Sequence, residues 1–387
     1  MNLILPDYIL KCIKTLENGG YEAYCVGGAV RDLIMGRTPN DFDLATNAPC
    51  RNAAALFSRY HLTGEKHGTV TVIEDEQPVE ITTYRADGSY LDARHPETVR
   101  FVGDIETDLL RRDFTVNALA YHPERGIVDI CGGVKDIENK ILRAVGEPQK
   151  RFGEDALRIM RLFRFSGELG FSIDSATLEG ALSQSGLLQN ISAERICHEL
   201  FRLLSSGCPT AINPLLSAGG LRFLGLSGRT PTPEISKTPP LLPLRAAVFC
   251  DMSGADPERL LKSLKADTKT IRKTAAFFEM LGGVSENYAD FKRLYQRLSP
   301  TEWTALSVAL KVKYGRDFGY ITEYCDKIET HAEPYKISML EINGDDIKQL
   351  GFEGEAVGRA LQKCLSLCIE HPEMNQKNLL LDYLRNH

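Results

Sequence analysis

Tyr21-Glu22-Ala23-Tyr24-Cys25-Val26-Gly27-Gly28-Ala29-Val30-Arg31-Asp32, followed closely by Asp41-Phe42-Asp43-Leu44-Ala45, is the stretch whose reading decides the fold. The run from Tyr21 to Val26 is apolar and aromatic enough for a strand, the two glycines permit a sharp turn, and Val30 to Met35 reads as a short helix. At such a junction phosphate oxygens can meet free backbone N–H groups, and Arg31 adds positive charge. Asp41 and Asp43 lie two apart in what reads as a second strand, so both carboxylates point to one face. Two like charges on one face repel unless a cation sits between them. Hard carboxylate oxygens suit Mg²⁺, which takes its remaining ligands from water and substrate phosphates. Alone, a Gly-Gly pair is an ordinary turn and an Asp-x-Asp a solvated edge. In this order they supply the parts that metal-assisted nucleotidyl transfer needs.

Working outward, Val70 to Ile73 and Pro78 to Arg85 alternate as strands, which predicts an antiparallel meander beside the Asp-x-Asp strand. Glu80 lies in the second of them, and if it faces the site it can take the proton of an attacking hydroxyl; the plain alternative is an exposed strand residue. From Ala86 to Pro96 the chain turns polar, with Arg94 and His95 inside it, and reads as a loop beside the site. Arg111-Arg112-Asp113-Phe114-Thr115-Val116-Asn117-Ala118-Leu119-Ala120 opens charged and then turns apolar. It reads as a helix with Asp113 at its start and Asn117 one turn on. Two arginines near acidic metal ligands suit triphosphate and ribose contacts.

Glu154-Asp155-Ala156-Leu157-Arg158-Ile159-Met160-Arg161-Leu162-Phe163-Arg164-Phe165 carries a second signal. Its apolar surroundings predict a buried helix, and buried charge needs partners. Each three-residue step lags by about 60°, so Asp155, Arg158 and Arg161 share one sector, with Arg164 trailing at its edge. That seam is either an internal salt-bridge ladder or the wall of an anion site, and the excess of arginine favours an anionic visitor such as a triphosphate. Cytosine and adenine both present an amino donor beside a ring-nitrogen acceptor, whereas uracil and guanine present the inverse. An Asp acceptor beside an Arg donor therefore suits C and A, and rejects U and G by leaving buried polar groups unpaired.

These segments together resemble the class II tRNA nucleotidyltransferases, the CCA-adding enzymes, within the DNA polymerase beta nucleotidyltransferase superfamily. The Gly-Gly turn with Asp41-Phe42-Asp43 resembles the catalytic core, Arg111 to Ala120 the second motif, and Glu154-Asp155-x-x-Arg158 the base-selecting motif. The resemblance implies template-independent addition of C, C and A to the 3′ end of tRNA from CTP and ATP, with Mg²⁺ as cofactor and pyrophosphate released. It implies catalytic roles for Asp41, Asp43 and, from its strand position, Glu80, with Asp41 and Asp43 as the metal ligands. Nucleotide contacts are expected from Gly28, Arg31, Arg112, Asp155, Arg158, Arg161 and Arg164, and a ribose 2′-hydroxyl contact from Asp113. Asp129 to Ile137 resembles the third motif, whose glycines are expected to form a hinge, although an ordinary strand-to-helix turn fits nearly as well. Ser192 to Leu200 resembles a neck-stabilising motif, in which Glu194, Arg195 and Glu199 are expected to be supports. The loop around Arg94 is, by resemblance, the element needed for the final A. A bacterial poly(A) polymerase and an A-adding specialist are the neighbouring alternatives; Gly64 to Val70 resembles the CCA-type strand entry. A non-catalytic tRNA-binding protein is the remote one, and the presence of both aspartates speaks against it.

The expected fold class is α+β: a mixed or antiparallel sheet head over residues 1–145, then an all-α neck over 146–205 carrying the templating helix, a body over 206–315 and a tRNA-binding tail over 316–387. In a chain of 387 residues a net charge of −6 bounds little, because RNA binding needs a local basic stripe and not a basic average. Lys262, Lys265, Lys269, Arg272 and Lys273, and separately Lys292, Arg293 and Arg297, recur at spacings that give such stripes or plain solvated faces. Gly225 to Pro243 is rich in Pro, Ser and Thr and reads as a loop interrupting the body. Ten scattered cysteines without a Cys-x-x-Cys pair, and no long apolar span, predict a cytoplasmic protein with no membrane partner and cysteines that fill the core. A homodimer is the first expectation for its assembly.

Overall fold

A computed structural model describes residues 2–87 and 99–386, which fall into two compact units, residues 1–228 and 229–387. In the first unit α1 (Asp7–Asn18) precedes β1 (Ala23–Val26), α2 (Gly28–Ile34), β2 (Asp43–Thr46), α3 (Cys50–Ala55), β3 (Tyr60–Gly64), β4 (Thr69–Glu74) and β5 (Gln77–Thr83). Then come β6 (Arg85–Asp87), β7 (Val99–Phe101), α4 (Ile105–Leu110), β8 (Ala120–His122), β9 (Gly126–Val128) and α5 (Gly133–Glu138). Seven strands form one sheet in the order β3-β4-β5-β2-β1-β8-β9. Every pairing is antiparallel except β2 with β5, so the sheet is mixed. β6 and β7 pair as a separate ribbon, and the loop expected around Arg94 and His95 falls in the stretch 88–98, outside the described residues.

Register positions the site. Val26 pairs with Asp43 and Asp43 with Glu80, so the end of β1, where the chain enters the Gly-Gly turn, lies in one cross-strand row with both acids. Tyr24, Val26 and Ala45 on this face pack with Ile105 and Leu109 of α4, and the row emerges at the edge of that core. The expected helix at Asp113 is instead one 3₁₀ turn over Thr115–Asn117, because Ala120–His122 are drawn into the sheet beside β1. Gly133 packs so closely on this turn that a Cβ would lie 2.2 Å from the Thr115 carbonyl oxygen. Asp129 caps the same corner by accepting from the amides of Gly133 (2.8 Å) and Val134 (2.9 Å), so this glycine serves close packing.

The helices that follow are α6 (Pro148–Glu154), α7 (Leu157–Leu169), α8 (Ser175–Ser183), α9 (Ala193–Leu204) and the short α10 (Asn213–Ser217). Asp155 is the break between α6 and α7, with extended backbone, and its Oδ1 accepts from the Leu157 amide (3.0 Å). Gly167 lets α9 approach, since a Cβ there would meet Leu203 Cδ1 at 2.5 Å. Asp113 ties α7 to the sheet. Its Oδ1 accepts from the Phe114 amide (2.8 Å) and from Asn117 Nδ2 (3.2 Å), and its Oδ2 from Arg161 Nε (2.7 Å) and Nη2 (2.6 Å). Asn117 Oδ1 in turn accepts from Arg31 Nη1 (2.6 Å), so one polar chain runs from α2 to α7.

The second unit is helical: α11 (Leu242–Ser253), α12 (Pro257–Ser263), α13 (Thr268–Met280), α14 (Tyr288–Tyr295), α15 (Pro300–Tyr314), α16 (Tyr320–Thr330), α17 (Gly344–Lys348), α18 (Glu355–Glu370) and α19 (Lys377–Asn386). The Pro-rich stretch from Gly225 spans the boundary between units, so the expected body segment straddles it. Of the two basic stripes, the second dissolves. Lys292 is 0 % exposed and pairs with Glu333 at 2.7 Å, Arg293 pairs with Asp290 and Glu370, and Arg297 with Glu279. In the first stripe Lys262 and Lys273 pair with Glu258 and Glu302, while Lys269 and Arg272 stay exposed. All ten cysteines are free, and eight are buried.

Two buried ion pairs carry testable weight. Burial pushes the Asp113 carboxyl up, but the Arg161 guanidinium, hydrogen bonds from Arg161 and Asn117, and nearby Arg158 outweigh it and hold the group at about 2. A folded value below the free one stabilises above pH ~4, and that stability is lost as pH falls toward 2. Asp113→Asn should cost about 2 kcal/mol at pH 7 and flatten the acid loss of stability. A urea midpoint that keeps the wild-type acid dependence would take this pair out of the account. In the second unit, Lys292→Met strands a buried Glu333 and should cost about 3–5 kcal/mol, most of it regained in Lys292→Met/Glu333→Leu. The single tryptophan, Trp303, packs against Phe291 with ring centroids 4.7 Å apart and reports that transition by fluorescence; equal midpoints for wild type and the single variant would contradict it.

Candidate active site

The floor of the site is the row set by the sheet. Gly27 adopts φ 75° and ψ −133°, and its amide donates to the Leu119 carbonyl at 3.0 Å. A Cβ there would lie 2.8 Å from Arg112 Nη1, so Gly27 is the position that requires glycine, for both its backbone and its neighbour. Gly28 opens α2 beside it. Asp41 sits just before β2, outside the strand expected for it, yet alternation holds: Phe42 is buried while Asp41 and Asp43 are exposed. Asp43 keeps solvent access on its cleft side, yet the protein packed around the carboxyl, then Asp41 and Glu80, push it up to about 6 against the pull of Arg112. Glu80 stands beside Asp43, and among the described residues no three His, Cys, Asp or Glu side chains gather closely enough to hold a metal.

The wall is arginine. Nine arginines and five aspartates line a cleft of about 830 Å³ that includes Gly27, Gly28, Asp41, Asp43, Arg112, Asp155, Arg158 and Arg161. The salt-bridge ladder on α7 is real, but its acids come largely from other elements. Arg158 Nη1 donates to Glu154 Oε2 (2.7 Å) and the Arg151 carbonyl (3.0 Å), and its Nη2 to the Arg111 carbonyl (3.2 Å). Asp155 Oδ2 pairs with Arg195 of α9 at 3.2 Å. Arg164 is 2 % exposed, and Glu199 and Glu168 take its donors, which makes it a support of α7 and α9. Arg31, Arg161 and Arg164 surround the Phe165 ring at 5.4, 5.2 and 3.9 Å, and Phe165 meets Phe114 edge-on.

Beyond Arg164, expected as a nucleotide contact and found as a support, two expectations change. Both oxygens of Asp113 are committed to Phe114, Asn117 and Arg161, so the ribose role expected of it gives way to a joining role. Arg195, expected only as a support, lines the cleft and touches Asp155. Arg85 and Arg202, which the sequence does not single out, also line it, as does Arg111, the partner of Arg112 in the expected phosphate-contacting pair. For Arg195 and Arg202 a signal existed: with Glu199 they recur at i, i+4 and i+7 on one face of α9.

A family described as the poly A polymerase head domain matches residues 23–143, and one described as a probable RNA and SrmB-binding site of polymerase A matches 170–222. The CCA-adding enzyme of Lactiplantibacillus plantarum is 34% identical over 96% of this chain and 94% of its own length. That of Geobacillus thermodenitrificans is 40% identical over 72% of this chain and 70% of its own. The crystal structure of the Bacillus stearothermophilus CCA-adding enzyme in complex with CTP has the same fold, with a TM-score of 0.87, 29% identity and 99% of both chains covered. The sheet head, the paired aspartates and the arginine wall thus occur in a chain whose relatives share one activity over nearly its whole length: it belongs to the CCA-adding enzymes, tRNA nucleotidyltransferases that build the CCA end without a nucleic-acid template.

Proposed function

We propose that the cleft between the Asp41/Asp43 floor and α7 joins CTP or ATP to the 3′ end of tRNA, and that one set of residues serves all three additions. The observation that carries this reading is the convergence of two like-charged carboxylates, the Gly27 turn and an arginine excess on one cleft. Asp41 and Asp43 would hold Mg²⁺. Their fit is supported by Asp43, whose carboxyl is destabilised as an anion by burial, Asp41 and Glu80, a strain that a divalent cation relieves. Two protein ligands leave the remaining positions for substrate phosphates and water. When bound, the ion lowers the pKa of the attacking hydroxyl and draws charge from the α-phosphate.

The chain's own residues do the rest. The tRNA 3′-hydroxyl oxygen attacks the α-phosphorus, its proton passes to Glu80, and the bond to the β-phosphate oxygen breaks to release pyrophosphate. Arg112 and the Gly28 backbone face the leaving phosphates, with Arg31 behind them, held by Asp32 and Asn117. Asp155 accepts from the amino group of C or A, while Arg158 donates to the ring nitrogen. Arg158 can do so reproducibly because Glu154 and two carbonyls hold its guanidinium still. Arg161 faces the cleft from its pair with Asp113, and Arg164 positions α7 from behind. Residues 146–205 act as the neck that presents this helix, and the second unit with its exposed Lys269 and Arg272 is the surface proposed to hold tRNA.

Incubating the protein with tRNA that lacks its last three nucleotides tests the reading. CTP alone should extend it by two residues, ATP alone by none, and both by three. Extension with ATP alone would assign an A-adding or poly(A) activity instead. Asp41→Ala should lower incorporation by at least about 10³-fold with tRNA affinity unchanged; retained Mg²⁺-dependent turnover would sink the metal assignment.

A further inference from the structure

One buried carboxylate beside the cleft has no part in the reaction as derived. Asp108, in the first turn of α4, is 1 % exposed, and both of its oxygens are used. Oδ1 accepts from Arg111 Nε (3.0 Å) and Nη2 (2.8 Å) and from the Arg85 amide (3.2 Å). Oδ2 accepts from Arg112 Nη2 (3.3 Å). All three arginines line the cleft. The spacing i, i+3, i+4 places Arg111 and Arg112 over Asp108, and Asp104 starts the helix by accepting from the Thr107 amide at 2.7 Å.

One negative charge therefore faces two guanidiniums, and orients them without cancelling them. Arg112 retains capacity. Its Nη1 makes only a long contact to the Asn117 carbonyl (3.4 Å), in the space left by the missing side chain of Gly27, and its Nε has no acceptor among the described residues. A free arginine carries substantial rotamer entropy, much of which a fixed carboxylate removes before a ligand arrives.

We infer that Asp108 is a positioning residue for triphosphate binding, holding Arg112, and with it Arg111, against the Gly27-Gly28 turn so that their remaining donors meet the phosphates of either nucleotide. The inference rests on the reading of Arg112 as a triphosphate contact. Phosphates are common to CTP and ATP, so the effect of Asp108 is blind to the base, unlike that of Asp155.

The test is steady-state kinetics on full-length Asp108→Asn, Asp108→Glu, Arg112→Gln and the double variant Asp108→Asn/Arg112→Gln, with melting curves alongside. Asp108→Asn should raise KM for CTP, KM for ATP and the inhibition constant of inorganic pyrophosphate by one shared factor of about tenfold. The preference for CTP over UTP should stay unchanged, and Asp108→Glu should recover part of the loss. The double variant should be no more than about twofold worse than Arg112→Gln, because both changes remove one interaction. Unchanged KM values with kcat falling in step with the folded fraction would reduce Asp108 to a fold-stabilising residue and overturn the inference, as would multiplicative effects in the double variant. If Arg112→Gln leaves all three constants unchanged, the reading of Arg112 falls and the inference with it. A normal Arg112→Gln defect beside a silent Asp108→Asn overturns the inference alone. Should Asp108→Asn fail to fold, Asp108→Glu carries the same comparison: a shared shift of the three constants supports positioning, and wild-type constants overturn it.

Discussion

The buried pair of Asp113 and Arg161 is the interaction on which the rest of the cleft depends. Asp113 belongs to the chain that enters β8, and Arg161 to the helix proposed to present the base-selecting pair. Joined, they fix the distance between the carboxylate floor and the arginine wall, two structures built by unrelated parts of the chain. The chain of contacts continues through Asn117 to Arg31 on α2, so the Gly-Gly turn is tied to the same point. Broken, the pair would leave the buried Asp113 carboxylate without its cation, which costs about 2 kcal/mol and favours the docked arrangement.

The arginine wall solves two opposed requirements. A site for a triphosphate needs uncancelled positive charge, yet buried guanidiniums need acceptors. Arginine meets both because its planar fork offers five donors, some of which can be spent on a fixed partner while the rest stay available. Arg158 on Glu154, Arg161 on Asp113 and Arg112 on Asp108 are three instances of one arrangement. Lysine, a point charge on a flexible stem, would be either neutralised by such a partner or left mobile. Asp155 follows the same logic with the sign reversed, since the Leu157 amide holds one oxygen and Arg195 the other, and each oxygen keeps a lone pair to accept with.

Much of this was legible in the sequence, for local reasons. The strand, Gly-Gly turn and helix, with Asp43 in the next strand, follow from alternation and glycine chemistry, and the spacing of Arg158, Arg161 and Arg164 from helical periodicity, whereas Asp41 lies just before its strand and Asp155 in the extended break before α7. What was not legible depended on contacts distant in sequence. That β5 runs parallel to β2, which sets Glu80 beside Asp43, is a register property that no local pattern states. The helix read at Asp113 became a single turn because strand pairing of Ala120 to His122 outweighed local propensity. Lys292 looked like surface charge, and only the fold reveals Glu333 opposite it. Arg195 was legible as a helix face, but its target, Asp155, lies 40 positions away.

We propose that Asp155, beside Arg158, imposes C and A on the growing end. The most direct test is the ratio of kcat/KM for CTP over UTP on tRNA lacking its last three nucleotides, in wild type and in Asp155→Ala. Losing the acceptor for the amino group should lower that ratio by about 10²-fold or more while the KM for pyrophosphate in the reverse reaction stays put. An unchanged ratio, with both nucleotides slowed alike, would mean that base choice lies elsewhere and that Asp155 only shapes the start of α7.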